Sequence, residues 1–408
     1  MAECEETRAI DYPLMHTRHI VLSFNLRDQK NLPRNPTLDE FEVLSGLFPA
    51  YSGAAVLGPF LVIYVKELPP KPWPLSVAGL PLFLTTEDFK VPWTIGTAGN
   101  VRHSVLDHLD ARETSDRSLY EAVISFFRKQ NVEIFEVVWF FGCWRVRTFP
   151  GADISILPGK MCQATTFYIA GEEPIPIEAA FRQKLPTTTC ADDSEYTPIR
   201  PGVMVASDNF LTTSGVLVKD SVNETYMTVA SHGFPEGHVH VYHPKANCSM
   251  IGEVIHHIVD TDIGLMKLQE NVVFENRTFQ SGLEPDGVFL RGIKDPFELK
   301  RFDIISMDSP YTGLIDGQYL TVALKHMPRD AHTEHLWVEQ LWQWFGQDAS
   351  AIPIDGSCGS ALLDTDGYVI GFFRYLDADN IGIGAAAQEL VRNGYMLCNT
   401  SNTRTSKP

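Results

Sequence analysis

The sequence predicts two parts: an amino-terminal α+β domain followed by an all-β domain of barrel or sandwich type. Three observations point there. The chain has 408 residues, more than one ordinary core accommodates. A polar, proline-bounded segment interrupts it near the middle, and residues 186–200 read as a linker. Beyond the linker, short β-rich runs follow one another with turn residues between them. Residues 1–185 are thus expected to form an accessory α+β domain and 201–398 the all-β domain. Residues 399–408 are expected to be a disordered polar tail.

In the first part, Thr37–Leu47 has helical periodicity, with Pro36 and Thr37 as start signals. Ser115–Gln130 is a stronger helix, whose apolar stripe is Leu119, Val123, Phe126 and Phe127. Ile20–Phe24, Phe60–Lys66 and Ile134–Thr148 are rich in Val, Ile, Phe and Trp and predict strands. No catalytic constellation is visible here. In the second part, strands are expected over Gly202–Ala206, Ser214–Lys219, Thr225–Ala230, His238–Tyr242 and Gly264–Leu268. Further strands are expected over Gly287–Leu290, Leu320–Ala323, Trp337–Trp342, Ser360–Leu363 and Tyr368–Phe373. A short closing helix is expected within Ala385–Tyr395.

Composition excludes several functions. The net charge is −18, with 51 acidic against 33 basic residues, so a general nucleic-acid binder is not expected. No apolar run approaches the roughly 18 residues that a membrane-spanning helix needs. The acidic start Met1-Ala-Glu-Cys-Glu-Glu does not resemble a signal peptide, and the seven cysteines show no disulfide framework. A reducing cytoplasm is the expected compartment, and the four Asn-x-Ser/Thr matches are then chance. Cys143, Cys162 and Cys248 are read as buried small hydrophobes. In the tract His238-Val-His240-Val-Tyr-His243, strand spacing puts His238 and His240 on one face, which would allow a metal site, but no Cys or carboxylate stands at ligand spacing nearby. They read as a polar strand face, and neither a metal nor a cofactor is expected.

Three segments carry chemistry. Thr228-Val-Ala-Ser-His232-Gly places a histidine just past a β-rich run. Asp262-Ile-Gly-Leu-Met-Lys-Leu268 places an aspartate at the mouth of another, with Asp260 two residues away. Asp355-Gly-Ser-Cys358-Gly-Ser-Ala-Leu-Leu363 brackets a cysteine with glycines, which permit a tight turn. In such a turn the N–H groups of Gly356 and Cys358 can point at one spot and form an oxyanion hole. The Asp-Gly pair before Tyr368 then closes a hairpin that holds the loop.

Taken in order, these segments resemble the trypsin-fold (chymotrypsin-like) peptidases, which carry Thr-Ala-Ala-His, Asp-Ile-Ala-Leu-Leu and Gly-Asp-Ser-Gly-Gly-Pro. Cysteine at the serine position, in Gly356-Ser-Cys-Gly359, is similar to the Gly-x-Cys-Gly motif of viral chymotrypsin-like cysteine proteases. The resemblance covers the last half of the chain and implies an all-β trypsin-like double β-barrel. It implies a cysteine endopeptidase acting on polypeptides, with Cys358 as nucleophile, His232 as general base and acid, and Asp262 orienting the imidazole. It prefers Asp262 over Asp260.

The pattern departs from the family at three places. Ser357 stands where zymogen-activated members have an aspartate, so no activation cleavage in the linker is expected. Ile352 stands where trypsin-like specificity needs an aspartate, so preference for basic residues is not expected. Arg374 lies where the substrate-pairing strand should run. It reads either as a selector for an acidic substrate residue or as a surface arginine on an edge strand. The alternative function is a catalytically inactive protease-fold scaffold, since fold does not guarantee activity. A different acyl transfer, such as a transpeptidase or esterase, is a second rival.

Overall fold

The computed structural model describes residues 19–29, 33–48, 50–57, 60–67, 69, 74, 76–86, 97–99, 104–111, 116–140 and 143–171. It further describes 191–235, 239–279, 286–301, 303–328, 334–344, 356–376 and 381–398. The chain divides into compact units at Val91/Pro92. From sequence the break was expected at 186–200, of which 186–190 lie outside the described residues, as does the tail 399–408.

The first unit holds strands β1 (His19–Ile20), β2 (Tyr51–Leu57), β3 (Phe60–Val65), β4 (Ser76–Val77) and β5 (Leu80–Thr85), in the order β1-β4-β5-β3-β2. Helix α1 (Leu38–Leu47) precedes β2 and starts where expected. Thr37 accepts from the Glu40 N–H and the Glu40 carboxylate accepts from the Thr37 N–H, a reciprocal cap. Leu44 and Phe48 bury against Leu61, Ile63, Val77 and Leu82. Of the strand expected at Ile20–Phe24, only Ile20 is in regular pairing.

The second unit opens with β6 (Thr97–Ala98), α2 (Arg117–Lys129), β7 (Ile134–Phe140), β8 (Cys143–Thr148), β9 (Lys160–Met161) and β10 (Ala164–Ala170). The Asp116 side chain caps α2 by accepting from the Leu119 N–H, and Leu119, Tyr120, Val123, Ile124 and Phe127 are buried. Phe126, expected in that stripe, is partly buried. The single strand expected over Ile134–Thr148 is instead the hairpin β7–β8.

Two antiparallel barrels follow. The first contains β11 (Met204–Ala206), β12 (Leu211–Thr213), β13 (Leu217–Lys219), β14 (Thr225–Ala230), β15 (His240–His243), β16 (Ser249–Ile258) and β17 (Ile263–Leu268). Its ladder runs β12-β11-β15-β16-β17-β14-β13. Residues 214–216 link β12 to β13 and bond to both sides: Ser214 N–H donates to Val203 O, and Gly215 N–H to Thr228 O. The ladder therefore closes on itself, around Val203, Val205, Leu217, Met227, Val229, Val241, Ile251 and Met266.

After β18 (Gly292–Ile293) comes the second barrel: β19 (Ile304–Ser309), β20 (Gly313–Pro328), β21 (Glu334–Trp344), β22 (Ala361–Asp364), β23 (Tyr368–Leu376) and β24 (Gly382–Ala386). Strand β19 pairs both β20 and β22, which closes the ring β19-β22-β23-β24-β21-β20. A closed ring has no edge to leave unpaired. The short helix α3 (Gln388–Arg392) and β25 (Met396–Leu397) end the described chain, with β25 pairing β13. Gly382–Ala386 is strand, so the short closing helix begins only at Gln388 of the expected stretch.

The far end of β20 also pairs β7, through Ala323↔Val138, Leu324↔Val137 and Lys325↔Glu136. One apolar core accordingly runs from Tyr120, Phe127 and Trp144 into Met307, Trp342, Leu362 and Phe373 of the second barrel. Residues 116–170 share the core of the all-β half. Two further departures have local causes. Strand β16 escaped the sequence pattern because a bulge between Val254 and His256 shifts its alternation, leaving His256 and His257 exposed. Residues 287–290 pair only through the bridge Arg277↔Phe289.

Among the described residues no helix is long and apolar enough to cross a membrane. No disulfide joins the described cysteines, and Cys248 is exposed, not buried, because it sits in the turn between β15 and β16. His240 faces Glu253 at 3.2 Å, and His243 is buried with its Nδ1 on Met204 O at 2.6 Å. His238 lies outside the described residues.

Candidate active site

His232 sits in a single 3₁₀ turn, Ser231–Gly233, directly after β14. Asp262 immediately precedes β17, which pairs with β14, so neighbouring strand ends of one barrel bring the two residues together. The Asp262 carboxylate holds His232 twice. Oδ1 accepts from the His232 backbone N–H at 2.9 Å, and Oδ2 lies 2.7 Å from Nδ1. Asp262 adopts a left-handed backbone, φ 61°. Aspartate tolerates that conformation better than β-branched residues do. Asp260, the alternative, pairs instead with His335 at 2.8 Å.

Cys358 reaches the same place from the second barrel, on the loop before β22. Two glycines shape this loop. Gly356 has φ 98°, and a Cβ there would lie 2.6 Å from the Tyr311 ring. Gly359 has φ 90°, and a Cβ would lie 2.5 Å from Thr213 O. Neither position accommodates a side chain. The first barrel grips the loop: Thr212 Oγ1 donates to Cys358 O at 2.5 Å, Thr213 Oγ1 to Gly356 O at 2.7 Å, and Thr213 N–H to Cys358 O at 3.0 Å. Gly359 N–H donates to Phe373 O, and Phe373 N–H to Ser360 O, which fasten the loop to β23. Among the described residues no acceptor takes the N–H of Gly356 or of Cys358.

Ser357 is fully buried, and its hydroxyl lies 3.1 Å from Ser309 Oγ, which lies 2.8 Å from Thr312 Oγ1. Neutral hydroxyls thus brace the loop at this position.

The electrostatics couple the three groups. Burial alone would disfavour a charged His232, but the Asp262 carboxylate and then Cys358 outweigh it. Together with hydrogen bonds to both partners they raise the imidazole well above its ordinary pKa. Burial likewise opposes ionisation of Asp262, but His232 and then Arg374 hold its carboxyl below the usual range. The thiol also donates to Arg374 O at 2.9 Å, and Cys358 is 7% exposed.

Arg374 is not on an edge. It lies in β23, which pairs on both sides, and its guanidinium is buried against Glu339 at 2.9 Å and Asp262 at 3.8 Å. Ile352 and Asp355 lie outside the described residues. Sequence reasoning missed Thr212, Thr213, Tyr311 and Glu339. They are distant in sequence from the motifs and carry no signature of their own. The Thr212-Thr213 pair on a β-run before Gly215 was the only available signal.

No protein-family model matches the chain, and no curated protein matches it significantly. Among solved structures it is similar to a glutamic-acid-specific serine protease, with 11% identity and TM-score 0.38, covering 49% of this chain and 100% of that one. It is similar to Thermobifida fusca protease A, with 15% identity and TM-score 0.37, covering 49% and 97%. Cellulomonas bogoriensis chymotrypsin gives 12% identity and TM-score 0.33, covering 50% and 99%. Each match spans about half of this chain.

Proposed function

We propose that this chain is a cysteine endopeptidase of chymotrypsin-like fold, with Cys358, His232 and Asp262 as its triad. One observation carries the reading: His232 is held at 2.7 Å by Asp262, 30 positions away in the chain, and the Cys358 side chain, 126 positions away on the second barrel, couples electrostatically to the same imidazole. His232 takes the Cys358 proton, and the sulfur bonds to the peptide carbonyl carbon. The oxyanion is received by the N–H groups of Gly356 and Cys358. The imidazolium returns its proton to the leaving amine as the C–N bond breaks. Water then adds to the thioester, again losing a proton to His232, and frees the carboxylic acid and the thiol. Asp262 keeps the ring in the tautomer and orientation both steps need. Ser357 makes activation cleavage unnecessary, because its braces are already neutral and satisfied.

A second reading rests on the engagement of the thiol by Arg374 O. A nucleophile so occupied, and 7% exposed, suits a protease-fold scaffold that does not cut. A fluorogenic peptide library separates the two. Cleavage by the wild type that falls at least about 10³-fold in both Cys358→Ala and His232→Ala supports the peptidase. A folded wild type that cleaves nothing, with Cys358 inert to a peptidyl thiol-reactive probe, supports the scaffold.

A further inference from the structure

We propose that Arg374 is the positioning residue of this site, a buried cation that sets the ionisation of the Cys358–His232 pair, itself held by Glu339. The proposal rests on the reading of Cys358 as nucleophile. Arg374 touches the triad twice. Its carbonyl accepts from Cys358 Sγ at 2.9 Å, and its guanidinium Nε lies 3.8 Å from Asp262 Oδ2. The carbonyl dipole favours the thiol; the cation favours the thiolate and keeps Asp262 ionised.

The cation is placed by a chain of alternating charge that crosses the sheet. Arg374 NH1 meets Glu339 of β21 at 2.9 Å, across β24. The residue of β24 opposite Glu339 is Ala385, small enough to let the guanidinium pass. Glu339 also meets Lys325 of β20 at 3.2 Å, and Lys325 meets its cross-strand partner Glu136 of β7 at 2.6 Å. Arg145 and Arg147 of β8 flank Glu136 at 3.7 and 3.5 Å. Burial opposes ionisation of Glu136, but Lys325, Arg145 and Arg147 hold its carboxyl down at about 2. Among the described residues Tyr375 of β23 faces Arg374, Glu339 and Lys325, and Tyr311 of the β19–β20 turn faces Cys358; both are pushed up, chiefly by burial. Neither supplies a cation. Arg374 is thus the permanent positive charge that Asp262 and Cys358 share from this side.

The experiment is the pH dependence of Cys358 alkylation by iodoacetamide, read by mass spectrometry, in the full chain. In the wild type the rate rises with the thiolate fraction of the pair. Arg374→Gln is expected to move the midpoint upward by about one unit, and Arg374→Lys to restore it to within a few tenths. Because Arg374→Gln leaves Glu339 with only Lys325, the double variant Glu339→Gln/Arg374→Gln, whose remaining Lys325–Glu136 pair is neutral, is measured beside it and should show the same upward shift. A midpoint unmoved in folded Arg374→Gln or in the double variant overturns the proposal, as does failure of Arg374→Lys to restore it. Failure of the underlying peptidase reading looks different: alkylation of Cys358 would then be indifferent to His232→Ala.

Discussion

The two barrels solve the same packing problem with different interiors, and the contrast locates the chemistry. The first encloses Val203, Val205, Met227, Val229 and Met266, and contributes His232 and Asp262 at its rim. The second carries charge across its wall and on into β7: Glu136, Glu339 and Arg374 are buried, Lys325 is partly buried, and the row, alternating in sign, ends on Asp262. An apolar barrel can present two side chains at strand ends at little cost. A buried charge chain is expensive in desolvation and is stable only while every member keeps its partner. The site is therefore an apolar scaffold on one side and an electrostatic one on the other, and the second reaches into residues 116–170.

The comparison breaks most visibly at the chemistry. If both barrels are needed, Cys358→Ala and His232→Ala should each lower peptide hydrolysis at least about 10³-fold, and the double variant should cost little more, because the two act as a unit. Losses that multiplied in the double variant would show independent roles. Stability sharpens the contrast next. Lys325→Met leaves Glu136 and Glu339 without their shared cation, so a loss of about 3–5 kcal/mol is expected in urea unfolding. Met227→Ala in the first barrel removes only packing, with about 2–4 kcal/mol expected. A Lys325→Met loss below 1 kcal/mol would mean the chain of charges is not an integral support.

A pH effect follows from the His232–Asp262 pair itself. His232 has a raised folded pKa, so its contribution is full below the unfolded value near 6.5 and is lost as pH rises through the folded value. Asp262 has a depressed one, so its contribution is present above about 3.8 and is lost as pH falls through the folded value. The thermal stability gap between the wild type and Asp262→Asn should be widest between about pH 4 and 6.5. A gap that does not vary with pH would deny the coupling. The smallest expected effect is Ser357→Ala, which removes one hydroxyl contact while Ser309 keeps Thr312. About 1 kcal/mol is expected, with activity largely retained. Dependence of activity on cleavage in the linker would instead show that Ser357 does not replace an activation pair.

By itself the sequence indicated the β-rich second half and the start of α1 at Thr37, and it singled out His232, Asp262 and Cys358. Each is written locally: strands in alternation, the helix start in Pro36 and Thr37, the Cys358 loop in glycines that permit a tight turn. Tertiary structure decided what local pattern cannot encode. It turned Ile134–Thr148 into a hairpin and joined it to β20, because strand pairing partners are set by the whole sheet. It turned Arg374 from an expected edge residue into a buried ion, because Glu339 and Asp262 arrive from strands distant in the chain. A charge in a sequence reads as surface until its partners are known, since only a paired charge can stay in the interior.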